Sequence, residues 1–120
     1  MSQERRQAPR VDERVTVAIT ESGAAVQAET RNLSTAGAYC TLDRFIAPMT
    51  KLQLEYELLN GTRRVRIRCS GVVVRVEPVV SNQEHGQYNI AIFFTELTEH
   101  DRSAISQFVR QRLSAQPSTR

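Results

Sequence analysis

Arg5, Arg6 and Arg10 fall within one short stretch, ERRQAPR, ahead of any segment that patterns as a folded element. A guanidinium is always charged and presents a flat fork of donors that matches the oxygens of a phosphate or carboxylate. Pro9 keeps a helix from running through the stretch, and residues 1–12 hold clustered like charge without an evident apolar anchor. These arginines are therefore either solvated tail charge or donors waiting for an anion. A second stretch, RNLSTAG from Arg31 to Gly37, lies between two strand-like runs. Asn32 and Ser34 carry short neutral hydrogen-bonding groups and Gly37 frees the backbone. Taken alone, such residues simply close a local turn.

The charge balance narrows the choice of anion. Formal net charge is only +3, and the arginines cluster at 5–14 and 63–68. Local, moderate basicity suits a small anionic ligand better than a long duplex, which draws a broader basic face. An RNA-binding barrel using Arg64, Arg66 and Arg68 is a weaker reading, because no exposed aromatics stand at stacking spacing. Those arginines are expected on a solvated strand face, with Glu55 and Glu57 across a hairpin as partners. Neither DNA nor RNA is an expected partner.

Catalysis finds little support. The sequence offers no Ser-His-Asp or Cys-His set and no glycine-rich phosphate loop before a helix. Cys40 and Cys69 stand alone rather than in a C-x-x-C pair, and His85 and His100 lack a second ligand at metal spacing. The cysteines are expected as reduced, buried filler and the histidines at the surface, with no metal and no cofactor. No apolar run could span a bilayer and no charged-then-apolar signal opens the chain, so the expected location is the cytoplasm, without membrane insertion.

The elements that must position these residues are mostly strands. With 120 residues, 40% apolar and 24% charged, the chain has the makings of one globular domain. Val15, Val17 and Ile19 alternate with polar residues, Ser22-Gly23 marks a turn, and residues 24–31 alternate again. Beyond RNLSTAG, Ala38, Cys40 and Leu42 face away from Tyr39 and Thr41. A connection over 43–50 leads to the clearest strand, 51–58, where Leu52, Leu54, Tyr56 and Leu58 alternate with charged or amide side chains. Asn60-Gly61 is the dipeptide typical of a two-residue hairpin. On the return strand Val65, Ile67 and Cys69 take odd positions and Val72, Val74 and Val76 even ones, which predicts a bulge at Gly71.

After a polar loop at 77–86, Tyr88, Ile90, Ile92 and Phe94 form the last strand. Thr98 opens a helix with Asp101 as a variant capping box, and Ile105, Phe108, Val109 and Arg112 or Leu113 make its inward stripe. The expectation is a mainly β fold: a six-stranded antiparallel β-barrel with a C-terminal α-helix. Residues 1–13 form a flexible arm, 14–114 the barrel and helix, and 115–120 a frayed tail.

Arg6 and Arg10 read R-x-x-x-R, and one hairpin later Asn32, Ser34 and Gly37 read N-x-S-x-x-G. The pair of motifs, in this order, resembles the PilZ domain, a bacterial receptor for cyclic di-GMP. The strand VVVRVE and the run YNIAIFFTELTEHDR into the last helix are similar to that family as well, so the likeness extends from about Glu4 to Leu113. It implies a cyclic di-GMP site made of Arg5, Arg6, Arg10, Asn32, Ser34 and Gly37. The arginines would pair with phosphates or the guanine O6 and N7 edge and stack on purine faces. Asn32 and Ser34 would bond a guanine edge or the sugar-phosphate, and Gly37 would let the backbone turn closely beneath the ligand. The arm would wrap over the nucleotide and order on binding. Arg5, just before R-x-x-x-R, resembles the type that holds two intercalated ligands per chain. The resemblance thus implies a cyclic di-GMP receptor that signals to an unidentified effector protein. The alternative is a protein-interaction module of the same fold that binds no nucleotide.

Overall fold

Alternating side chains dominate the chain, and in the computed structural model they close on themselves. The structure describes residues 9–79 and 86–115. Seven strands form in order: β1 (Arg10–Val11), β2 (Thr16–Glu21), β3 (Ala24–Ser34), β4 (Gly37–Leu42), β5 (Lys51–Asn60), β6 (Arg63–Pro78) and β7 (Tyr88–Glu96). Helix α1 (Glu99–Ala115) follows. The antiparallel strands run β3-β2-β5-β6-β7-β4, and a β3–β4 pairing closes the barrel at six, leaving β1 as an outer strand on β3.

The β5–β6 hairpin forms one residue later than expected. Asn60 pairs with Arg63, so the two turn residues are Gly61 and Thr62 rather than Asn60 and Gly61, and β5 and β6 are paired without interruption from Lys51–Val72 to Asn60–Arg63. Gly61, the first turn residue, has φ +64° while Asn60 keeps a strand conformation, so positive φ is needed at one turn position and not at two. Glu55 faces Arg68 and Glu57 faces Arg66 across the hairpin, and all these side chains are largely solvated. The inward set from every strand is buried, and Ile105, Phe108 and Val109 of α1 plug one end of the barrel. Both cysteines lie in this interior, unbridged. Burial pushes the Cys40 thiol up to about 12, so it behaves as the small apolar filler expected.

Several boundaries differ from the sequence reading. The bulge in β6 is not at Gly71. Odd positions stay inward through Val73, fully buried, and Val74 is the extra residue, half exposed, after which Val76 turns partly inward. Gly71 is buried instead, its Cα packed so that a Cβ would meet Ile92 Cγ2 at 2.7 Å. The register slip beside it arises because Thr95 of β7 is skipped between the Ser70–Glu96 and Gly71–Phe94 pairs. β6 also continues to Pro78, shortening the loop expected from residue 77.

The helix cap is half of a box. Thr98 Oγ1 accepts from the Asp101 N–H at 3.0 Å, while the Asp101 carboxylate turns to the Arg68 N–H of β6 at 3.4 Å. At the other end, Arg112 rather than Leu113 completes the inward stripe. Its guanidinium lies over the Phe108 ring at 4.2 Å and its Nε meets Glu13 Oε2 at 3.2 Å.

The largest departure concerns the lead-in. Residues 1–8 lie outside the described residues, but Arg10 and Val11 pair with Ser34 and Leu33 of β3. Val11 is 2% exposed, an apolar anchor that the sequence reading denied to residues 1–12. Between β1 and β2, fully buried Thr30 holds the chain: its hydroxyl accepts from the Val15 N–H at 2.9 Å and donates to the Glu13 carbonyl. Thr30→Val keeps the shape and strands both backbone groups. It should lower unfolding free energy by about 1–3 kcal/mol, seen as a lower urea midpoint at unchanged slope. An unchanged midpoint would show that the hydroxyl does not hold this crossing.

Candidate functional site

The site is built on a bulge. In β3, Thr30 faces Cys40 and Asn32 faces Tyr39, so Arg31 is the extra residue. Thr30 is inward before the bulge and Leu33 inward after it, a change of parity that turns Asn32 to the outer wall. Asn32 is half buried there, and its side chain has no hydrogen-bond partner among the described residues. Across the sheet from it come Tyr39 of β4, Ala91 of β7 and Arg75 of β6, each opposite the next.

Ser34 closes the β3–β4 turn. Its Oγ accepts from the Ala36 N–H at 3.0 Å and the Gly37 N–H at 3.3 Å, and the side chain is nearly buried. The turn-closing role is thus real, and it fixes the rim on which Asn32 stands. Gly37 does not supply positive φ. It begins β4 pressed against β7, where a Cβ would lie 2.1 Å from the Ile92 carbonyl oxygen. No other residue fits that approach. Arg10, on the far side of β3, stands opposite Ser34 with its side chain exposed. Among the described residues its guanidinium meets no carboxylate.

Arg10, Asn32, Ser34 and Gly37 line one cavity of about 210 Å³, together with Tyr39, Val74, Arg75, Ala91 and Phe93. Four of the six site residues read from sequence therefore converge, from β1, β3 and the start of β4. Arg5 and Arg6 lie outside the described residues. Tyr39 and Arg75 were missed, because only strand register brings them here; the outward parity of Tyr39 was the one available hint. They share Glu77: the Tyr39 hydroxyl donates to Glu77 Oε1 at 3.1 Å and Arg75 Nε lies 3.6 Å from Oε2. Partial burial, then the Glu77 bond, raise the Tyr39 hydroxyl above its ordinary value, keeping it a neutral donor.

The described residues contain no cluster of metal-ligating side chains, and no described helix is long and apolar enough to cross a membrane. His100 is exposed beside Asp101, and His85 lies outside the described residues. What the geometry offers is a guanidinium that meets no carboxylate among the described residues, an amide and a phenol on the wall of a closed, helix-plugged barrel.

The sequence says to which family this barrel belongs. Residues 4–111 match the PilZ domain, and the chain belongs to that family. PilZ domains bind cyclic di-GMP and serve as binding and adaptor modules. No curated protein matches by sequence. Among solved structures, the inhibitor of motility of Bacillus subtilis (MotI/DgrA) superposes with a TM-score of 0.81 at 20% identity, over 96% of this chain and 55% of that one. MrkH of K. pneumonia gives 0.69 at 18%, over 95% and 53%. The PilZ domain of CeSA from a cellulose-synthesizing bacterium gives 0.57 at 15%, over 87% and 97%. This chain spans about half the length of MotI and MrkH.

Proposed function

We propose that this chain is a cyclic di-GMP receptor and adaptor, whose arm orders over the nucleotide and signals to a partner protein. The observation that carries it is the convergence of Arg10, Asn32, Ser34 and Gly37 on one cavity at the barrel rim. The cavity is the size of a single purine rather than a whole cyclic dinucleotide. One guanine would enter against Asn32 and Tyr39, and the phosphates would lie outward toward Arg10 and the segment carrying Arg5 and Arg6. Asn32 brings both a donor and an acceptor to a guanine edge, and Arg10 brings a charge-assisted fork.

Two bound nucleotides place four phosphates close together, and the repulsion calls for extra cations. Arg5 would supply one and stack on the outer guanine, so two ligands per chain are expected. Calorimetric titration tests the reading. Cyclic di-GMP should bind at two per chain, while GTP, GMP and cyclic AMP give little heat; Arg5→Leu should move the count to one. Equal heats for GTP and cyclic di-GMP would overturn the nucleotide assignment. No binding of either would leave the non-nucleotide interaction module as the function.

A further inference from the structure

A second concavity, of about 450 Å³, lies away from the rim, between the β5–β6 hairpin and α1. Arg63, Arg64 and Arg66 form one wall, and His100, Ser103 and Gln107 of α1 the other. No carboxylate lines it. Its size falls in the ~300–1,000 Å³ range of ligand clefts.

We propose that this groove docks an acidic, extended segment of a partner protein. The charge balance of the hairpin argues for it. Four arginines, at 63, 64, 66 and 68, face only Glu55 and Glu57. Arg66 takes both carboxylates, the Glu57 contact being 3.3 Å, and Arg68 lies 3.5 Å from Glu55. Arg64 is left with a loose 3.9 Å contact to Glu57, its side chain 79% exposed, and Arg63 has no carboxylate partner among the described residues. The excess positive charge is thus concentrated at the hairpin tip, facing the groove. Glu99 and Asp101 on the first turn of α1 do not line it, and Asp101 is already turned to the Arg68 N–H.

The spacing selects the form of the occupant. Arg64 and Arg66 are two residues apart on one strand face, about 7 Å. Carboxylates at alternate positions of an extended chain have that same repeat, so one would meet the excess charge at Arg64 while the next shares Arg66 with Glu55 and Glu57. On the opposite wall Ser103 and Gln107 are one helical turn apart and exposed, suited to the amides of a peptide backbone. At the floor, Asn60 is 8% exposed, gives an amide hydrogen to the Ala104 carbonyl at 3.3 Å, and leaves its Oδ1 without a partner among the described residues. A single-stranded nucleic acid would want a stacking platform, and no Phe, Tyr or Trp lines the groove, His100 being its one ring.

This gives the adaptor reading above a place for its partner, and its test needs no nucleotide. An acetylated 12-residue peptide of alternating glutamate and serine is titrated into ¹⁵N-labelled protein and followed by amide chemical shifts. Saturable shifts are expected at residues 63–66 and 100–107. Arg63→Ala combined with Arg64→Ala should weaken binding tenfold or more while the calorimetric response to cyclic di-GMP stays as in the unmodified protein. Arg64→Glu should lose the glutamate peptide and gain an alternating lysine–serine peptide. Absent shifts, or unsaturable shifts spread to Arg14 and Arg44, would overturn the proposal. Tighter binding of a 12-nucleotide oligouridine at the same residues would overturn it in favour of a nucleic-acid surface. Loss of cyclic di-GMP binding by the unmodified protein would defeat the receptor reading and leave the groove standing.

Discussion

Arg10→Ala should weaken cyclic di-GMP binding by about tenfold or more, and Arg64→Ala should leave it nearly unchanged. A charge-assisted hydrogen bond to a bound anion is worth roughly 1.5–3 kcal/mol, and each 1.4 kcal/mol is about tenfold in affinity. Arg10 lines the rim cavity and meets no carboxylate among the described residues, so its charge is available to a ligand. Arg64 does not line that cavity; it borders the groove beside α1 and shares Glu57. Its influence on a rim ligand is long-range attraction, screened beyond ~8 Å at physiological salt. Calorimetry of both variants decides between a local site and a diffuse basic surface. Comparable losses from the two substitutions would mean the latter.

Gly37→Ala is expected to be the most damaging single-methyl change in the protein. The added carbon would sit 2.1 Å from the Ile92 carbonyl oxygen, which is backbone and cannot rotate away. β4 would have to pull off β7 along the pairs from Gly37–Phe93 onward, at the seam where β3 and β4 close the barrel. Overpacking a core costs about 1–3 kcal/mol, and here the upper end is expected because no side chain can yield. Gly61→Ala provides the comparison. Nothing lies within 4 Å of its Cβ, so only the strain of φ +64° remains, about 1 kcal/mol. Urea denaturation of the two variants should rank them in that order, and Gly37→Ala should also lose nucleotide binding through Ser34 and Asn32. Equal stabilities would show that β4 can shift without penalty.

Much of this was readable in the sequence because barrels alternate. Val17 and Ile19, or Leu52 through Leu58, declare one face, and Asn60-Gly61 declares the turn between β5 and β6 to within one residue, the turn itself being Gly61-Thr62. The bulge in β6 was misplaced for an equally physical reason. In Val72-Val73-Val74 every position is valine, so a change of parity leaves no mark on the pattern. The bulge at Arg31 was hidden because Arg31, Asn32 and Ser34 are all polar and read as a loop, when β3 in fact runs through Ser34. β1 is two residues long and carries no periodicity; only the burial of Val11 reveals it. The site motifs were legible as types and spacing. Tyr39 and Arg75 were not, since their proximity is a product of register across β3, β4, β7 and β6.

The bond between Arg112 and Glu13 bears on how a signal could leave this molecule. A closed barrel has no open edge to rearrange and resists deformation, so it is a poor messenger. Glu13 lies two residues after Val11, on the root of the segment that carries Arg10. Arg112 sits near the end of α1, also reaching the Leu59 carbonyl at 3.4 Å beside the hairpin tip. The root of the arm and the end of the helix are therefore yoked like two ends of one lever, with the barrel as its fixed fulcrum. Reciprocity follows from thermodynamics: if nucleotide binding at the arm displaces the end of α1, a partner that grips the end of α1 must alter affinity for the nucleotide by the same factor.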